Sequence, residues 1–207
     1  MQTIEAGFNL FEWQYEKIPE RNALRSAFTG RSTNYQVFVM RLPGEGLYRF
    51  VILCPLEASS EHIGGLSEFL HRTNTSLPLG AFELDFDQGS VRWVSSAETN
   101  GDPLPAHWIG GSVQRGLTSF ETIWPELLAV AEGRLAASDG ALRCQIAMEL
   151  PNLNHELQSS DIQLKLSSIE DDENELYVEV TGSDLDRVQQ MFESLFGSPL
   201  PFALRSA

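Results

Sequence analysis

Two neighbouring runs of almost uncharged residues place the strongest constraint on how this chain can fold. Residues 35–42 read YQVFVMRL, residues 47–54 read LYRFVILC, and residues 43–46 between them read PGEG. Aromatic and β-branched residues favour strands, and a short connection rich in Gly and Pro predicts that the strands form a β-hairpin. Because few positions in either run are charged, we expect these strands to be covered on both faces or to lie at the centre of a sheet.

Residues 81–94 predict a second hairpin, with one face in water. Three apolar residues alternate with three acidic ones, namely Phe82, Leu84 and Phe86 with Glu83, Asp85 and Asp87. A period of two is that of a half-buried strand. Gly89 can take the left-handed conformation that the turn needs, and Val91 and Trp93 continue on the second strand.

Two segments in the first half of the chain have the pattern of a short helix. Over residues 19–30, Pro19 can open the first turn, and apolar side chains fall on one face at Ala23, Leu24, Ala27 and Phe28. Residues 59–74 predict another helix, in which Ser59 or Ser60 forms the N-terminal cap.

A longer helical region follows the loop-like residues 95–106 and extends to about residue 136. Thr118 and Glu121 have the spacing of a capping box, which predicts a helix start there. Pro125 predicts a kink or a boundary in the same region.

The segment after a weak boundary at residues 138–140 is acidic and rich in predicted strands. These strands cover residues 142–150, 162–169 and 176–180, with a turn at 171–174. Ser183 with Asp186 is expected to cap a last helix, whose apolar stripe is formed by Leu185, Val188, Phe192, Leu195 and Phe196. The two β-β-α passages of the chain invite a duplication hypothesis, although no repeat is visible at the level of residues.

The charge balance disfavours several classes of partner. The 207-residue chain has 29 acidic and 14 basic residues, a net charge of −15. Nucleic acids and anionic membranes are bound through clustered Lys and Arg, so we expect neither as a partner. The sequence has no apolar stretch near the roughly 20 residues of a membrane span, and its first residues lack the basic region of a secretory signal. We therefore expect a cytoplasmic protein in which Cys54 and Cys144 are buried free thiols.

The sequence lacks the common motifs that indicate an enzyme. It contains no phosphate-binding glycine loop, no C-x-x-C pair and no H-E-x-x-H zinc motif. We accordingly expect no catalytic residues, no cofactor and no bound metal.

Three arrangements leave a chemical alternative open. Glu68 and His71 share one helix face, at the spacing that di-iron bundles use. Carboxylates that could bind Mg²⁺ share one strand face at Glu83, Asp85 and Asp87. Cys54 would need a histidine base to act as a nucleophile. A solvated helix face, the wet side of a strand and a buried thiol explain the same residues more simply.

The tryptophans are either core residues or part of a protein interface. Trp108 follows a Pro-rich loop and is the best interface candidate, with Trp93 as the second.

A short set of motifs resembles the YbjN-like proteins. FLHRTN at residues 69–74, LGAFELD at 79–85 and GSVRW at 89–93 follow one another as the helix end and the two strands of that group do. The group is similar in fold to type III secretion chaperones, and the wider group includes cyanobacterial proteins. The resemblance covers about residues 20–135 and implies an α+β fold with a twisted antiparallel sheet, often dimeric and without catalytic residues. The chaperone pattern has three strands before its middle helix, whereas the sequence predicts only two.

Together these features predict a chaperone-like core over residues 1–137 and an acidic, β-rich extension over residues 138–207, either separate or part of the same domain. We expect a non-enzymatic protein-binding module of chaperone or adaptor type, forming a homodimer and binding an unidentified protein. The alternatives are a small-ligand-binding protein or enzyme with an unrecognised site, and a regulatory dimerisation protein.

Overall fold

The computed structural model describes residues 2–44, 46–158, 161–169, 172–182 and 184–206, with the backbone alone described at 168, 169 and 172–176. The chain divides into two compact units, Met1–Ala141 and Leu142–Ala207, here called unit 1 and unit 2. The predicted extension begins nearby, at residue 138, and its status as a separate domain stays a prediction. No helix in the described part of the chain has both the length and the apolar character needed to cross a membrane.

Unit 1 contains a six-stranded antiparallel sheet and three helices. Its elements are α1 (Gln2–Leu10), β1 (Glu16–Ile18), a 3₁₀ turn (Pro19–Arg21), β2 (Ala23–Thr29), β3 (Asn34–Arg41), β4 (Leu47–Glu57), α2 (Ile63–Asn74), β5 (Ala81–Leu84), β6 (Ser90–Glu98) and α3 (Ala106–Ala131). The strand order is β1-β2-β3-β4-β6-β5. The predicted α+β class with an antiparallel sheet is confirmed.

Unit 2 has its own sheet and core. The chain continues with α4 (Ala137–Glu156), β7 (Gln163–Ile169), β8 (Asp172–Thr181), α5 (Leu185–Phe196) and β9 (Ala203–Ser206). β8 pairs antiparallel with β7 and parallel with β9. Apolar side chains from α4, β7, β8 and α5 form the core, including Leu153, Leu164, Val178 and Phe192.

Both predicted hairpins are confirmed. β3 and β4 lie in the middle of the sheet, with Phe38 opposite Val51. β5 and β6 form the second hairpin, and Gly89 has the expected positive φ of 68°. Phe86 differs from expectation, since β5 ends at Leu84 and Phe86 is 62% exposed.

The helix predicted over residues 19–30 is wrong, because most of that segment is strand β2. Asn22 has a positive φ of 48° and redirects the chain after the 3₁₀ turn. Leu24 and Ser26 are then buried, with exposed residues between and after them, which is the period of a strand. The small Ala and Ser side chains concealed this alternation. With β1 and β2 included, four strands precede α2.

The strand predicted over residues 142–150 is also wrong. This segment belongs to α4, in which Ile146, Leu150 and Leu153 are buried at steps of four and three residues. That spacing is helical and extends beyond the predicted strand, so a shorter window did not reveal it.

α3 is one continuous helix, and the boundary predicted near Pro125 is absent. Thr118 and Glu121 lie inside the helix and form no capping box. Pro125 removes one backbone donor, a cost that burial of Ile123 and Leu127 on either side offsets.

The helix caps also differ from the predicted ones. His62 precedes α2 and makes no capping hydrogen bond with its side chain, so neither Ser59 nor Ser60 is the cap. Asp184 caps α5 by accepting a hydrogen bond from the Arg187 backbone N–H at 3.1 Å. The predicted cap Ser183 lies outside the described residues.

Three short elements were not predicted, namely α1, β1 and β9. The turn predicted at 171–174 begins outside the described residues, and β8 already includes Asp172.

A glycine lets α3 lie close to the sheet. A Cβ on Gly116 would come within 2.5 Å of Ile52 Cδ1 and Trp93 Cε3, and both of these side chains are fully buried. The helix therefore approaches β4 and β6 more closely than any residue with a side chain would allow.

Gly116→Ala should lower the free energy of unfolding by about 1–2 kcal/mol, because overpacking outweighs the gain in helix propensity. Gly111 in the same helix is the matched control, since no atom lies within 4 Å of its hypothetical Cβ. Gly111→Ala should raise stability by up to about 1 kcal/mol. Urea denaturation followed by circular dichroism measures both variants, and equal effects would contradict the close packing of α3.

A carboxylate on α3 holds the β2–β3 turn against the helix. Tyr35 Oη donates to Glu121 Oε1 at 2.7 Å, and the Ser32 hydroxyl donates to Oε2 at 3.0 Å. Desolvation raises the pKa of Glu121, but these hydrogen bonds outweigh it, and that pKa lies below its ordinary value. Burial and the bond to Glu121 raise the pKa of Tyr35.

Glu121→Gln should destabilise the protein by about 1–3 kcal/mol at neutral pH. The folded pKa of Glu121 lies below its ordinary 4.5, so the carboxylate's contribution is complete above that pH and is lost as the pH falls through the folded pKa. The difference between wild type and variant should therefore shrink below about pH 4.5, as measured by denaturation across the acid range. Glu68→Gln, on the exposed face of α2, is the control. A difference that stays constant with pH would contradict this account.

Candidate functional site

The two central strands of the unit 1 sheet, β3 and β4, carry apolar residues on both faces, and the helices cover one of these faces. Gly116 of α3 approaches Ile52 and Trp93, and the ring of Phe120 lies 5.5 Å from that of Tyr35. α1 and α2 both pack against α3, so the three helices share that side. The strand residues in between point to the other side, here called the outer face.

The strand register assembles an apolar centre on the outer face. Phe38 lies opposite Val51, and Val51 lies opposite Val94 on the next strand. Met40 is opposite Ala23 of β2. Phe38, Met40 and Val51 remain partly exposed despite their apolar character. Apolar side chains at the centre of a sheet are normally covered, whereas these three are covered only in part.

A cavity of about 360 Å³ opens on the outer face. Apolar residues of three adjacent strands and three arginines line it: Ala23, Phe38, Met40, Leu42, Val51, Leu53, Arg21, Arg49 and Arg92. The volume is at the lower end of ligand pockets, which suits one or two large side chains or a small molecule.

The cavity is positively charged, although the chain as a whole is acidic. Arg92 Nε lies 2.8 Å from Glu83 Oε2, and Arg49 lies 3.7 Å from the other oxygen of Glu83. Arg49 Nε is buried and has no hydrogen-bond partner among the described residues. Arg21 is exposed and makes no ion pair within the described part of the chain. Two guanidinium groups therefore share the Glu83 carboxylate, and the third, that of Arg21, has no carboxylate among the described residues.

The β5 edge of the sheet is closed. The Asn74 side chain donates to the backbone carbonyl of Phe82 at 2.9 Å and accepts from its N–H at 2.7 Å. Asn154 makes the same two bonds to Leu164 of β7 in unit 2. Since the asparagine occupies groups that an added strand would need, strand addition at β5 is disfavoured.

The two tryptophans predicted as interface residues have different environments. Trp93 is 0% exposed beneath α3 and offers no surface to a partner in this conformation. Trp108 is 53% exposed near the start of α3, and its interface role stays a prediction.

The metal alternatives find no support in the geometry. Glu68 pairs with Arg72 at 2.8 Å on the exposed side of α2, where His71 is also exposed. Glu83 pairs with the two arginines, and Asp85 accepts the backbone N–H groups of the turn that follows β5. The described residues contain no group of three or more acidic, His or Cys side chains arranged to hold a metal ion.

Both cysteines are buried and neither forms a disulfide, as predicted. Cys54 Sγ lies 3.6 Å from the Val91 carbonyl oxygen, and burial raises the pKa of Cys54 to about 11. The thiol is therefore protonated at neutral pH, which opposes a role as nucleophile.

Iodoacetamide at pH 8 should label the native protein only slowly, because the reactive thiolate is scarce and shielded. Both cysteines should react quickly in guanidinium chloride. Mass spectrometry counts the labels, and a Cys54→Ser variant assigns them. Fast labelling of Cys54 in the native state would contradict its burial.

A larger cavity of about 620 Å³ lies in unit 2, between the end of α4 and the start of β7. Asn154 in its lining is already bonded to Leu164, and residues 159 and 160 of the connection lie outside the described residues. The outer-face cavity is lined by strands described without a gap and combines charge with apolar surface, so it is the candidate site.

The sequence did not predict which residues line this cavity, but it did indicate that the two central strands need cover on both faces. The runs at 35–42 and 47–54 are apolar on both faces, which predicted cover on both sides. The helices of unit 1 provide only one layer.

Comparisons with known proteins add little to this geometry. No family model matches the chain, and no curated protein does. Among solved structures, the chain is similar to that of YbjN from E. coli, a proposed transcription regulator, with 10% identity and a TM-score of 0.44. The match covers 64% of this chain and 89% of that one. A likeness at this level assigns no function and no functional residue, and the relation to secretion chaperones and cyanobacterial proteins stays a prediction.

Proposed function

We propose that this chain is a non-enzymatic protein-binding module of adaptor or chaperone type, and that a segment of its partner binds on the outer face of unit 1. One observation carries the proposal: two central strands are apolar on both faces, and the helices of unit 1 cover only one. The partner would supply the missing layer. Large apolar side chains that become buried in such a cavity contribute about 1.5–3 kcal/mol each, which is enough for specific binding when several are joined.

The closed edge at β5 disfavours that edge as the binding surface. An edge-binding chaperone needs free backbone groups, and Asn74 occupies those of Phe82. The predicted homodimer is one form of the proposal, in which the second chain is another copy.

Photo-crosslinking in the native cells tests the site. Benzoylphenylalanine at Met40, which lines the cavity, should capture a second polypeptide. The same amino acid at Phe86, which is exposed outside the outer face, should not. Val51→Thr with Leu53→Thr keeps β-forming residues but removes apolar surface, and should abolish the capture at Met40 while circular dichroism stays unchanged.

Capture at Phe86 as strong as at Met40 would contradict an outer-face site. Capture mainly from position 108 would instead place the interface at Trp108, as the sequence predicted. A crosslink between two copies at Met40 would identify the partner as the chain itself.

A further inference from the structure

We infer that the outer-face cavity selects an extended acidic segment of the partner, in which one apolar side chain fills the cavity and flanking carboxylates bind the arginines. This inference rests on the proposed function, since it specifies the chemistry of the segment at the same site.

The charges of the cavity favour an anionic partner. Arg21, Arg49 and Arg92 line it, and none of the described lining residues is acidic. Glu83 beside the cavity compensates only one of these positive charges, through Arg92 and Arg49. A neutral or basic segment would remove water from the arginines that Glu83 does not neutralise and would leave their charges unpaired. Carboxylates of the segment would instead pair with these arginines.

The Arg49 side chain supports this preference. It is 36% exposed, and its Nη2 lies 3.7 Å from Glu83 Oε1, which is beyond hydrogen-bond distance. A guanidinium binds a carboxylate through two parallel hydrogen bonds, which are stronger than bonds to a neutral carbonyl. An incoming carboxylate can therefore bind the Arg49 guanidinium more closely than Glu83 does.

The spacing of the arginines favours a peptide over a small anion. Ala23, two residues after Arg21, lies opposite Met40, and Met40 lies opposite Arg49. β2 and β4 are two strand positions apart, so the backbones of Arg21 and Arg49 are about 12 Å apart at the usual strand spacing and rise. Two acidic residues four positions apart in an extended chain are about 13 Å apart, which matches this separation. The residue midway between them points to the same side and would enter the apolar cavity.

Nucleic acids and anionic bilayers are less suitable ligands for this chain than a short acidic segment. A net charge of −15 repels nucleic acids and anionic bilayers, while a short segment with two carboxylates meets only the local positive field.

Fluorescence polarisation with labelled peptides tests the inference. The probe is a nine-residue peptide with the centre Glu-Thr-Leu-Thr-Glu, and its partners carry Gln-Thr-Leu-Thr-Gln or Glu-Thr-Ser-Thr-Glu. We expect the Glu-Leu probe to bind at least about tenfold more tightly than either of the others. Arg21→Gln with Arg49→Gln should remove the preference for Glu over Gln. Arg72→Gln, on α2 away from the outer face, is the matched control and should leave it intact.

Equal binding of the Glu and Gln peptides, or no binding of any peptide, would overturn the inference. Binding of decanoate at the site as tight as that of the Glu-Leu probe would also overturn it, in favour of a small amphipathic anion. The crosslink at Met40 separates these results from a failure of the proposed function. A retained crosslink with no acidic preference leaves the outer face as a protein-binding site of another chemistry, whereas its loss removes both.

Discussion

The contact of α3 with the centre of the sheet is the constraint on which the rest of unit 1 depends. Gly116 allows the helix backbone to approach Ile52 and Trp93, and Glu121 fixes the same helix to the β2–β3 turn through Tyr35. Since α1 and α2 pack against α3, all three helices are committed to one side. Because the helices pack on one side, they leave Phe38 and the arginine-lined cavity uncovered on the outer face.

The sequence predicted the elements whose pattern is local and missed those that depend on distant contacts. The hairpins at 35–54 and 81–94 follow from alternation and turn glycines. β2 was misassigned because Ala23 and Ser26 are small and carry little hydrophobic signal, although both are buried between neighbouring strands. The cavity could be predicted only in part. The uncharged runs indicated a second covering layer, but Arg21 and Arg92 are brought to the same face by strand pairing that no short window reveals.

The two units share a structural device that the sequence did not show. In each, an asparagine near the end of a helix binds both backbone groups of a residue in the following strand, Asn74 with Phe82 and Asn154 with Leu164. Both cases occur in the order helix, hairpin, helix. The shared device gives the duplication hypothesis a physical basis that residue-level comparison lacked. It also gives the asparagine of the FLHRTN motif a structural role in closing a strand edge.

The central claim is that the outer face is apolar, accessible in the isolated chain and covered by a partner in the cell. Hydroxyl-radical footprinting of the purified protein and of the protein in extract from its own cells tests this most directly, because Met40 lies in the cavity and oxidises readily. The account predicts that Met40 is oxidised in the purified protein and protected in the extract, while Phe86 reacts equally in both. A Met40 that is unreactive in the purified protein, or equally reactive in both samples, would contradict it.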